Sequence, residues 1–476
     1  MQPLTRQTKV VATVNPASSR ETIAGMIKAG MNVARLNFSH GSYDECAQTI
    51  AHIRSIAEEL DTPITLLQDL QRQKIQISQV PENGILFTEG EFLTLVPITK
   101  FVNQPDTVAV DYPYLAKEVQ LGNPVILDDG LLELKVEEIQ LDAVRCKIIR
   151  GGILKIPKDA NLPNIDLQLP FLSNKKSQDL DFGLSQEVDY IAVSFVRAED
   201  VRALKNLLQQ KGAANTPVVA KIEKPYAIAN LEEILDECDA VMIAPSNLGV
   251  GVSQEKLPLL QKRIIGLCNH KGIPVISTIQ MPESTIHNAH STVAETSDIA
   301  NAITDGTDAV MLSSESAVGE VSVEGVQMLV KIATETESEI EFLNNPPAKT
   351  DVTHALSVGL NAICKVLPPR YIVTFTSSGY TARLAAGERP KVPIIALTPN
   401  PKVYRSLNLI WGVRPVLLDR EVETFEELTT QVEEILLKRS WAETDDKILI
   451  MAGIPTKHTQ GTNFLKIHTI TTTSEQ

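Results

Sequence analysis

Cysteine is scarce and scattered in this sequence. The five cysteines stand at positions 46, 146, 238, 268 and 364, a spacing that suits no zinc site, and their odd number does not suit a disulfide framework. The sequence therefore predicts a protein with reduced thiols, as in the cytoplasm.

Long apolar runs and an excess of positive charge are also missing. No segment approaches the roughly 18 uninterrupted apolar residues of a membrane span. Residues 1–6 are polar and lead directly into a strand pattern, so we expect no secretory signal. Acidic residues outnumber basic residues by 59 to 44, for a formal net charge of −15. This charge disfavours nucleic acids and anionic membranes as partners.

Several common catalytic and nucleotide-binding motifs are absent. The sequence contains no GxxxxGK[ST] loop, no GxGxxG, no HExxH and no nucleophile elbow. Phosphate chemistry in this protein would therefore not use a P-loop.

What the sequence does contain is a long alternation of strand and helix patterns. Eight short apolar segments, most of them followed by an amphipathic helix pattern, begin near residues 8, 31, 64, 190, 218, 240, 274 and 309. Short apolar strands buried on both faces are typical of a (β/α)8 barrel, and a doubly wound open sheet is the structural alternative.

The alternation is interrupted once and then ends. Between residues 77 and 157 only short β patterns and turns occur, which indicates a separate β domain. Two asparagines and two prolines at 344–347 mark a boundary, after which a second α/β pattern follows. We therefore expect an α/β protein with a barrel of residues 1–76 and 162–345, an inserted β domain of residues 77–161 and a C-terminal α/β domain of residues 346–476.

Polar residues collect at the ends of the predicted barrel strands, where such barrels carry their chemistry. They are Arg35, Asn37, Ser39 and His40 on strand two, Asp69 on strand three, Ser194 and Arg197 at strand four, Lys221 and Glu223 on strand five, Ser246 and Asn247 at strand six, and Ser313, Ser314 and Glu315 at strand eight. Singly, each has an ordinary explanation as a salt-bridge residue, a surface residue or a helix cap. A functional site requires that they meet at one face of the barrel.

Lys221 and Glu223 are two residues apart on one strand and therefore share a face. Partly buried in a barrel mouth, an ammonium needs an anion, and a carboxylate needs a cation or a metal ion. Arg35 adds a bidentate donor for phosphate oxygens. This pattern favours a phosphate-bearing substrate, and a structural ion pair between Lys221 and Glu223 is the alternative.

A hydroxyl-rich turn precedes a predicted helix in the C-terminal part of the chain. It contains Thr376, Ser377, Ser378, Gly379 and Thr381. Such a turn can hold a phosphate on backbone N–H groups, although an ordinary helix N-terminus has the same pattern.

Segments along the whole chain resemble pyruvate kinases. They are residues 31–41 (MNVARLNFSHG), 127–130 (LDDG), 194–197 (SFVR), 220–223 (AKIE), 305–312 (DGTDAVML), 376–383 (TSSGYTAR) and 461–463 (GTN). The resemblance implies a barrel with a small β-barrel lid domain and a C-terminal regulatory domain, usually in a homotetramer. It also implies the glycolytic transfer of a phosphoryl group from phosphoenolpyruvate to ADP.

The resemblance also implies roles for individual residues. Lys221 would contact the transferred phosphoryl group and the enolate oxygen, Glu223 would hold Mg²⁺ or Mn²⁺, and Arg35 would bind phosphate. His40 and Lys175 would face the nucleotide, and Ser194 and Ser246 would lie in the substrate region.

Further implied sites bind a monovalent cation and an effector. Asn37, Ser39 and Asp69 would line the cation site, and Lys74 matches the branch of the family in which a lysine replaces potassium. We therefore expect no potassium requirement. The turn at 376–381 would bind a phosphorylated effector.

The sequence departs from the family pattern at several active-site positions. Gln76 replaces a phosphate-binding arginine, and Asn247 replaces the second metal carboxylate, which should weaken metal binding. Ile279 replaces a threonine beside the substrate's methylene carbon, so no hydroxyl is available there to relay a proton. Ser246 replaces a glycine, which reduces the space beside the backbone.

These departures leave three hypotheses open. The protein is an active pyruvate kinase with weak turnover, or a non-catalytic relative that binds metabolites or regulates an active paralogue in a hetero-oligomer. The third hypothesis is a different barrel enzyme, such as a lyase acting on a phosphorylated or carboxylate substrate.

Overall fold

The structure, a computed structural model, describes residues 6–16, 18–38, 41–70, 75–79, 84–104, 106–127, 130–154, 159–162, 172, 174–194, 197–249, 252–279, 293–312, 321–342, 350–420, 422, 424–454 and 461–471. At residues 159, 161, 174, 246, 247, 312 and 321 it describes the backbone alone.

The described residues form strands and helices in three groups. The strands are β1 (Lys9–Val14), β2 (Val33–Asn37), β3 (Thr65–Leu70), β4 (Ile75–Ser78), β5 (Ile85–Phe87), β6 (Phe92–Pro97), β7 (Thr107–Val110), β8 (Pro124–Leu127), β9 (Leu132–Ile139), β10 (Val144–Arg150), β11 (Gly152–Leu154), β12 (Asp159–Asn161), β13 (Tyr190–Ser194), β14 (Val218–Ile222), β15 (Ala240–Ile243), β16 (Val275–Ile279), β17 (Ala309–Leu312), β18 (Tyr371–Phe375), β19 (Ile394–Thr398), β20 (Val413–Leu417), β21 (Lys447–Ala452) and β22 (Phe464–Thr469).

The helices are α1 (Arg20–Ala29), α2 (Tyr43–Glu59), α3 (Leu115–Glu118), α4 (Asn174–Ser185), α5 (Ala198–Gln210), α6 (Pro225–Ala229), α7 (Leu231–Glu237), α8 (Pro245–Gly249), α9 (Leu257–Lys271), α10 (Val293–Thr304), α11 (Val321–Glu339), α12 (Val352–Val366), α13 (Tyr380–Gly387), α14 (Pro401–Ser406) and α15 (Phe425–Lys438).

Eight parallel strands close into a barrel in the order β1-β17-β16-β15-β14-β13-β3-β2. The open-sheet alternative is therefore wrong, and the predicted (β/α)8 barrel is confirmed. Most of these strands are buried along their whole length because helices cover their outer face and side chains fill the interior.

A second closed barrel lies between β3 and β13 in the chain. Its strands pair in the order β10-β6-β7-β4-β12-β8-β9 and enclose a core of their own. β5 and β11 form a separate antiparallel pair. The sheet of the C-terminal domain, in the order β20-β19-β18-β21-β22, is parallel except for β22, which pairs antiparallel with β21. Both the inserted β barrel and the C-terminal α/β fold agree with the predicted fold class.

Helix ends follow local sequence signals. Ser18 and Glu21 have the spacing of a capping box, but Ser19 is the N-cap of α1 and accepts a hydrogen bond from the backbone N–H of Thr22. Gly30 ends the helix at a φ of 114° that favours glycine. A complete capping box is present one helix later, between Ser42 and Glu45 at the start of α2.

The C-terminal domain packs against the end of the barrel where the strands begin. Leu409 belongs to the same buried cluster as Val11, Val33, Leu67 and Tyr190, which face the barrel interior. The side chain of Asn408 donates hydrogen bonds to the carbonyls of Asn32 and Pro63, at 2.8 and 2.6 Å. One end of the barrel is therefore closed by the C-terminal domain, and the opposite end carries the candidate site.

Candidate active site

A layer of polar side chains follows the interior core at the carboxyl ends of the barrel strands. Side chains alternate along a strand, so the residue two positions after an interior apolar residue also faces the interior. Two positions beyond residues of the interior cluster stand Thr13, Arg35, Asp69, Ser194, Lys221 and Thr278. The fold therefore brings Arg35, Asp69, Ser194 and Lys221, which were identified as separate candidates in the sequence, to one face.

Asp69 is the centre of this layer. Its Oδ1 accepts a hydrogen bond from Lys221 Nζ at 2.9 Å, and its Oδ2 lies 2.8 Å from Arg35 Nε and 2.7 Å from an Arg35 terminal nitrogen. Lys221 Nζ also lies 3.2 Å from Glu223 Oε1. Ser194 donates a hydrogen bond from its hydroxyl to the other oxygen of Glu223. We call Arg35, Asp69, Lys221 and Glu223 the charged quartet.

The charged quartet contains two cations and two anions, and its ion pairs outweigh the effect of burial on pKa. Burial alone would raise the pKa of Asp69, but Lys221 and Arg35 lower it to about 2. Burial would lower the pKa of Lys221, but the carboxylates of Asp69 and Glu223 raise it. The pKa of Glu223 is also lowered, because Lys221 and the Ser194 hydroxyl offset its burial. All three groups therefore carry charge at neutral pH.

The described part of the site provides one carboxylate for a divalent cation. No group of three or more His, Cys, Asp or Glu side chains among the described residues is arranged to bind a metal ion. Glu223 is 17% exposed, whereas Asp69 is fully enclosed by its two cations. Mg²⁺ is commonly held by one or two carboxylates and completed by waters and substrate oxygens. Glu223 fits that arrangement.

Two of the substituted positions, Ile279 and Gln76, differ in burial. Ile279 has the opposite strand register from Thr278 and packs in the cluster between the barrel strands and the helices. Gln76 is exposed on β4 of the inserted barrel, where its backbone N–H donates to Asp111 Oδ1 at 2.6 Å.

The remaining candidates are described only in part. Asn37 is buried at the end of β2, opposite Asp69 of β3. Lys175 is exposed on α4. Ser246 and Asn247 lie on α8, and their side chains are outside the description. The candidates Ser39, His40, Lys74, Ser313, Ser314 and Glu315 lie outside the described residues.

Two residues of the polar layer were missed by sequence reasoning. Thr13 Oγ1 accepts a hydrogen bond from Arg35 at 2.9 Å and so helps to orient the guanidinium. Thr278 contributes a hydroxyl at the strand register that faces the interior. The two-residue spacing from the interior residues Val11 and Ile276 is the signal that could have identified them.

The turn at 376–379 is closed by its own hydrogen bonds. Thr376 Oγ1 accepts from the backbone N–H of Gly379 at 2.9 Å, and Gly379 has a φ of 84° that favours glycine. Thr381 and Thr462 share a hydroxyl hydrogen bond at 2.9 Å, which joins the turn to the segment 461–463. Ser377 and Ser378 are exposed. This turn begins α13 and presents two hydroxyl side chains to solvent.

Comparison with known proteins agrees with this architecture. The family model for the pyruvate kinase barrel domain matches residues 5–326, and that for the pyruvate kinase alpha/beta domain matches residues 354–468. The chain is 37% identical to pyruvate kinase of Clostridium acetobutylicum, covering 98% of this chain and 100% of the relative. It is 42% identical to pyruvate kinase 2 of Synechocystis, covering 87% and 71% of the two chains.

A solved structure shows the same fold over nearly the whole chain. The crystal structure of a pyruvate kinase from Cryptosporidium parvum has a TM-score of 0.91 at 29% identity and covers 98% of this chain and 96% of its own. This chain belongs to the pyruvate kinase family. Membership implies phosphoenolpyruvate and ADP as substrates, a divalent metal ion such as Mg²⁺ and, usually, a tetramer.

No helix among the described residues is long and apolar enough to cross a membrane.

Proposed function

We propose that this protein transfers the phosphoryl group of phosphoenolpyruvate to ADP, giving pyruvate and ATP, with a turnover reduced by its substituted positions. The charged quartet carries this proposal, because its ion pairs hold Lys221, Arg35 and Glu223 together at the barrel mouth. Phosphoryl transfer requires positioning and charge neutralisation more than covalent chemistry.

The charged quartet fits the charge changes of this reaction. The phosphorus–oxygen bond of phosphoenolpyruvate breaks, a new one forms to a terminal oxygen of ADP, and the enolate takes up a proton at its methylene carbon. Lys221, held as an ammonium by Asp69 and Glu223, can stabilise the transferred group and the enolate oxygen. Arg35, oriented by Asp69 and Thr13, supplies a second fixed positive charge.

Glu223 would hold the divalent metal ion, with Asn247 as a weaker second donor. The ion supplies positive charge to the phosphate oxygens when it is bound. An amide oxygen is a poorer ligand than a carboxylate for a hard cation. Half-maximal activity should therefore need a higher metal concentration with Asn247 than with a carboxylate at that position. We keep His40, Lys175, Ser194 and Ser246 as the proposed substrate and nucleotide contacts, and Asn37, Ser39, Asp69 and Lys74 as the proposed monovalent-cation region.

The division into residues 1–76 and 162–345, 77–161, and 346–476 is likewise proposed, with the first strand of the inserted barrel, β4, beginning at Ile75, two residues before the proposed boundary. In it, residues 77–161 act as a lid, and the turn at Thr376, Ser377, Ser378, Gly379 and Thr381 binds a phosphorylated effector. The exposed hydroxyls of Ser377 and Ser378 support the effector role. We expect Ser377→Ala and Ser378→Ala to lose effector binding. Ser185→Ala on α4 is the control and should keep it.

A coupled assay of pyruvate formation tests the catalytic proposal. Wild-type protein with saturating phosphoenolpyruvate and ADP should turn over slowly with Mg²⁺ or Mn²⁺, and equally in sodium and potassium salts. Lys221→Ala should lower kcat by about 10² or more, because it removes a charge that acts in the transition state. Lys262→Ala, which removes an exposed lysine that pairs with Asp305, is the matched control and should leave the rate unchanged.

A second candidate function is a non-catalytic, metabolite-binding or regulatory relative of pyruvate kinase. The exposed neutral Gln76 favours it, because no charge meets a phosphate there. A variant carrying Gln76→Arg, Asn247→Asp and Ile279→Thr, tested in the same pyruvate-formation assay, distinguishes the kinase from the non-catalytic relative. Wild-type turnover lost in Lys221→Ala supports the kinase. No wild-type turnover under any condition, with turnover appearing in the triple variant, would support the non-catalytic relative.

A further inference from the structure

A small cavity lies where the C-terminal domain meets the barrel, on a different part of the molecule from the barrel mouth. It is lined by Asp61 and Pro63 from the segment between α2 and β3, and by Tyr404, Arg414, Arg439 and Trp441 from the C-terminal domain. We call it the interdomain cavity. Its volume is about 60 Å³, and a water molecule needs about 10 to 15 Å³. The cavity therefore has room for several waters or for one tetrahedral oxyanion.

Two guanidinium groups crowd one indole ring in the interdomain cavity. The Cζ atoms of Arg414 and Arg439 lie 4.1 and 5.1 Å from the centroid of the Trp441 ring. Burial and the neighbouring charge of Arg439 lower the pKa of Arg414 to about 10. Both cations line the same cavity and repel each other, and an anion that contacts both would offset that repulsion.

The indole N–H of Trp441 provides a second, independent observation. Trp441 is 3% exposed, and its Nε1 has no hydrogen-bond acceptor among the described residues. A buried donor without an acceptor costs about 1 to 3 kcal/mol. An oxyanion in the interdomain cavity would supply the acceptor, since its oxygens can receive hydrogen bonds from several donors at once.

One carboxylate among the lining residues, that of Asp61, would repel an anion in this cavity. Asp61 pairs with Arg439 at 2.6 and 3.3 Å, but its side chain is 65% exposed. An exposed ion pair contributes about 0 to 1 kcal/mol, so an entering anion can compete with it for Arg439. With two arginines and one aspartate, the charged lining residues carry a net charge of +1.

We propose that the interdomain cavity binds a phosphate group, either inorganic phosphate or the phosphate of a small metabolite, between Arg414, Arg439 and the indole N–H of Trp441. The tetrahedral shape and multiple acceptor oxygens of phosphate match two guanidinium groups and one N–H donor. The rest of a metabolite would extend through the open side of the cavity. Because the three donors belong to the C-terminal domain and Asp61 to the barrel segment, the bound phosphate would lie at the boundary of the two domains and compete with the Asp61–Arg439 pair that joins them.

Fluorescence provides a local test, because Trp411 and Trp441 are the only two tryptophans. In Trp411→Phe the remaining signal comes from Trp441. Titration with inorganic phosphate against chloride at constant ionic strength should give a saturable change in emission. Adding Arg414→Gln or Arg439→Gln should weaken binding tenfold or more. Adding Asp61→Asn should tighten it about threefold to tenfold, since the competing carboxylate is removed.

Matched controls separate this site from others. Arg145 also lies over an aromatic ring, 4.7 Å from the centroid of Phe92 in the inserted barrel, so Arg145→Gln should not change the affinity. Lys221→Ala and Ser377→Ala should also leave the Trp441 response intact, whatever becomes of catalysis. A phosphate-dependent rise in the melting temperature of the unmodified protein, absent in Arg414→Gln, provides a readout that does not depend on Trp411→Phe.

Titrations with other phosphate compounds identify the source of the phosphate. Ribose 5-phosphate or AMP binding more tightly than inorganic phosphate indicates a metabolite, and the reverse order indicates free phosphate. A change that does not saturate, that chloride reproduces, or that persists in Arg414→Gln and Arg439→Gln would overturn the proposal. So would a loss of phosphate affinity in Asp61→Asn.

Discussion

Asp69 holds the charged quartet together, because it contacts both cations of the quartet and is almost completely buried. Removing one partner of a buried ionic network leaves uncompensated charge in the interior. Asp69→Asn is therefore expected to lower the free energy of unfolding by about 3 kcal/mol. Urea unfolding at pH 7 measures this effect. Asp142→Asn, which breaks the exposed pair with Lys100, should change stability by less than about 1 kcal/mol and is the control.

Acid should weaken the contribution that Asp69 makes to the free energy of unfolding. Its pKa falls from the ordinary 3.8 to about 2 on folding, so the unfolded chain binds the proton more readily. The stabilisation of about 2 kcal/mol is present in full above pH 3.8 and is lost as the pH falls towards 2. The stability difference between wild type and Asp69→Asn, measured from pH 6 down to pH 2.5, should narrow in that window. A constant difference would contradict the ion pairs described here.

At the scale of a helix, the two capping sites provide a test of local structure. Ser42 and Glu45 cap α2 reciprocally, whereas Ser18 precedes the N-cap of α1. Ser42→Ala should lower the free energy of unfolding by about 1 kcal/mol, because a backbone N–H loses its acceptor. Ser18→Ala should have little effect. Thermal unfolding of both variants provides the comparison, and an equal loss in the two would argue against these caps.

The same helices show which parts of the fold could be predicted. Periodic apolar residues identified α1, and Gly30 marked its end, because both signals are local. Ser18 and Ser19 both suit the N-cap role in the sequence, and only the path of the preceding loop selects Ser19. Boundaries of this kind depend on tertiary context that adjacent residues do not record.

The candidate site could be predicted in its residue types but not in its pairing. Lys221, Glu223 and Arg35 stood out because charged residues on apolar strands are costly. That Asp69 rather than Glu223 takes both cations follows from the register of β2, β3, β13 and β14, which the barrel closure fixes. Ile279 packs in the cluster of strand and helix residues, and its place beside the substrate stays a prediction.

At the scale of the whole molecule, Lys9 connects the barrel to the C-terminal domain. It is 2% exposed at the start of β1, and its Nζ donates to the carbonyl of Val413 at 2.5 Å. Burial and the charges of Arg6 and Arg414 lower the pKa of Lys9 to about 7. In the folded protein the Lys9 amine is therefore mostly neutral above about pH 7, whereas in the unfolded chain it stays protonated to about pH 10.

This shift gives a pH dependence that can be measured. Between pH 7 and 10.5 the unfolded chain binds more protons at this residue, so stability rises with pH. Relative to Lys9→Met, wild type should gain roughly 2 kcal/mol from pH 7 to pH 9. Urea unfolding of both proteins across that range checks the slope. Lys100→Met, at an exposed position, should show no such trend.

The closure of the barrel by Leu409 has a consequence for how such a protein can be divided or recombined. A barrel whose interior is completed by a side chain from another domain is not a self-sufficient part. A chain shortened to end at residue 342 would open its apolar interior to water and invite aggregation. Exchanging C-terminal domains between relatives should therefore succeed only when the segment Leu407–Leu409 fits the barrel it enters. In this fold, the barrel and the C-terminal domain are therefore expected to change together in evolution, as a matched pair.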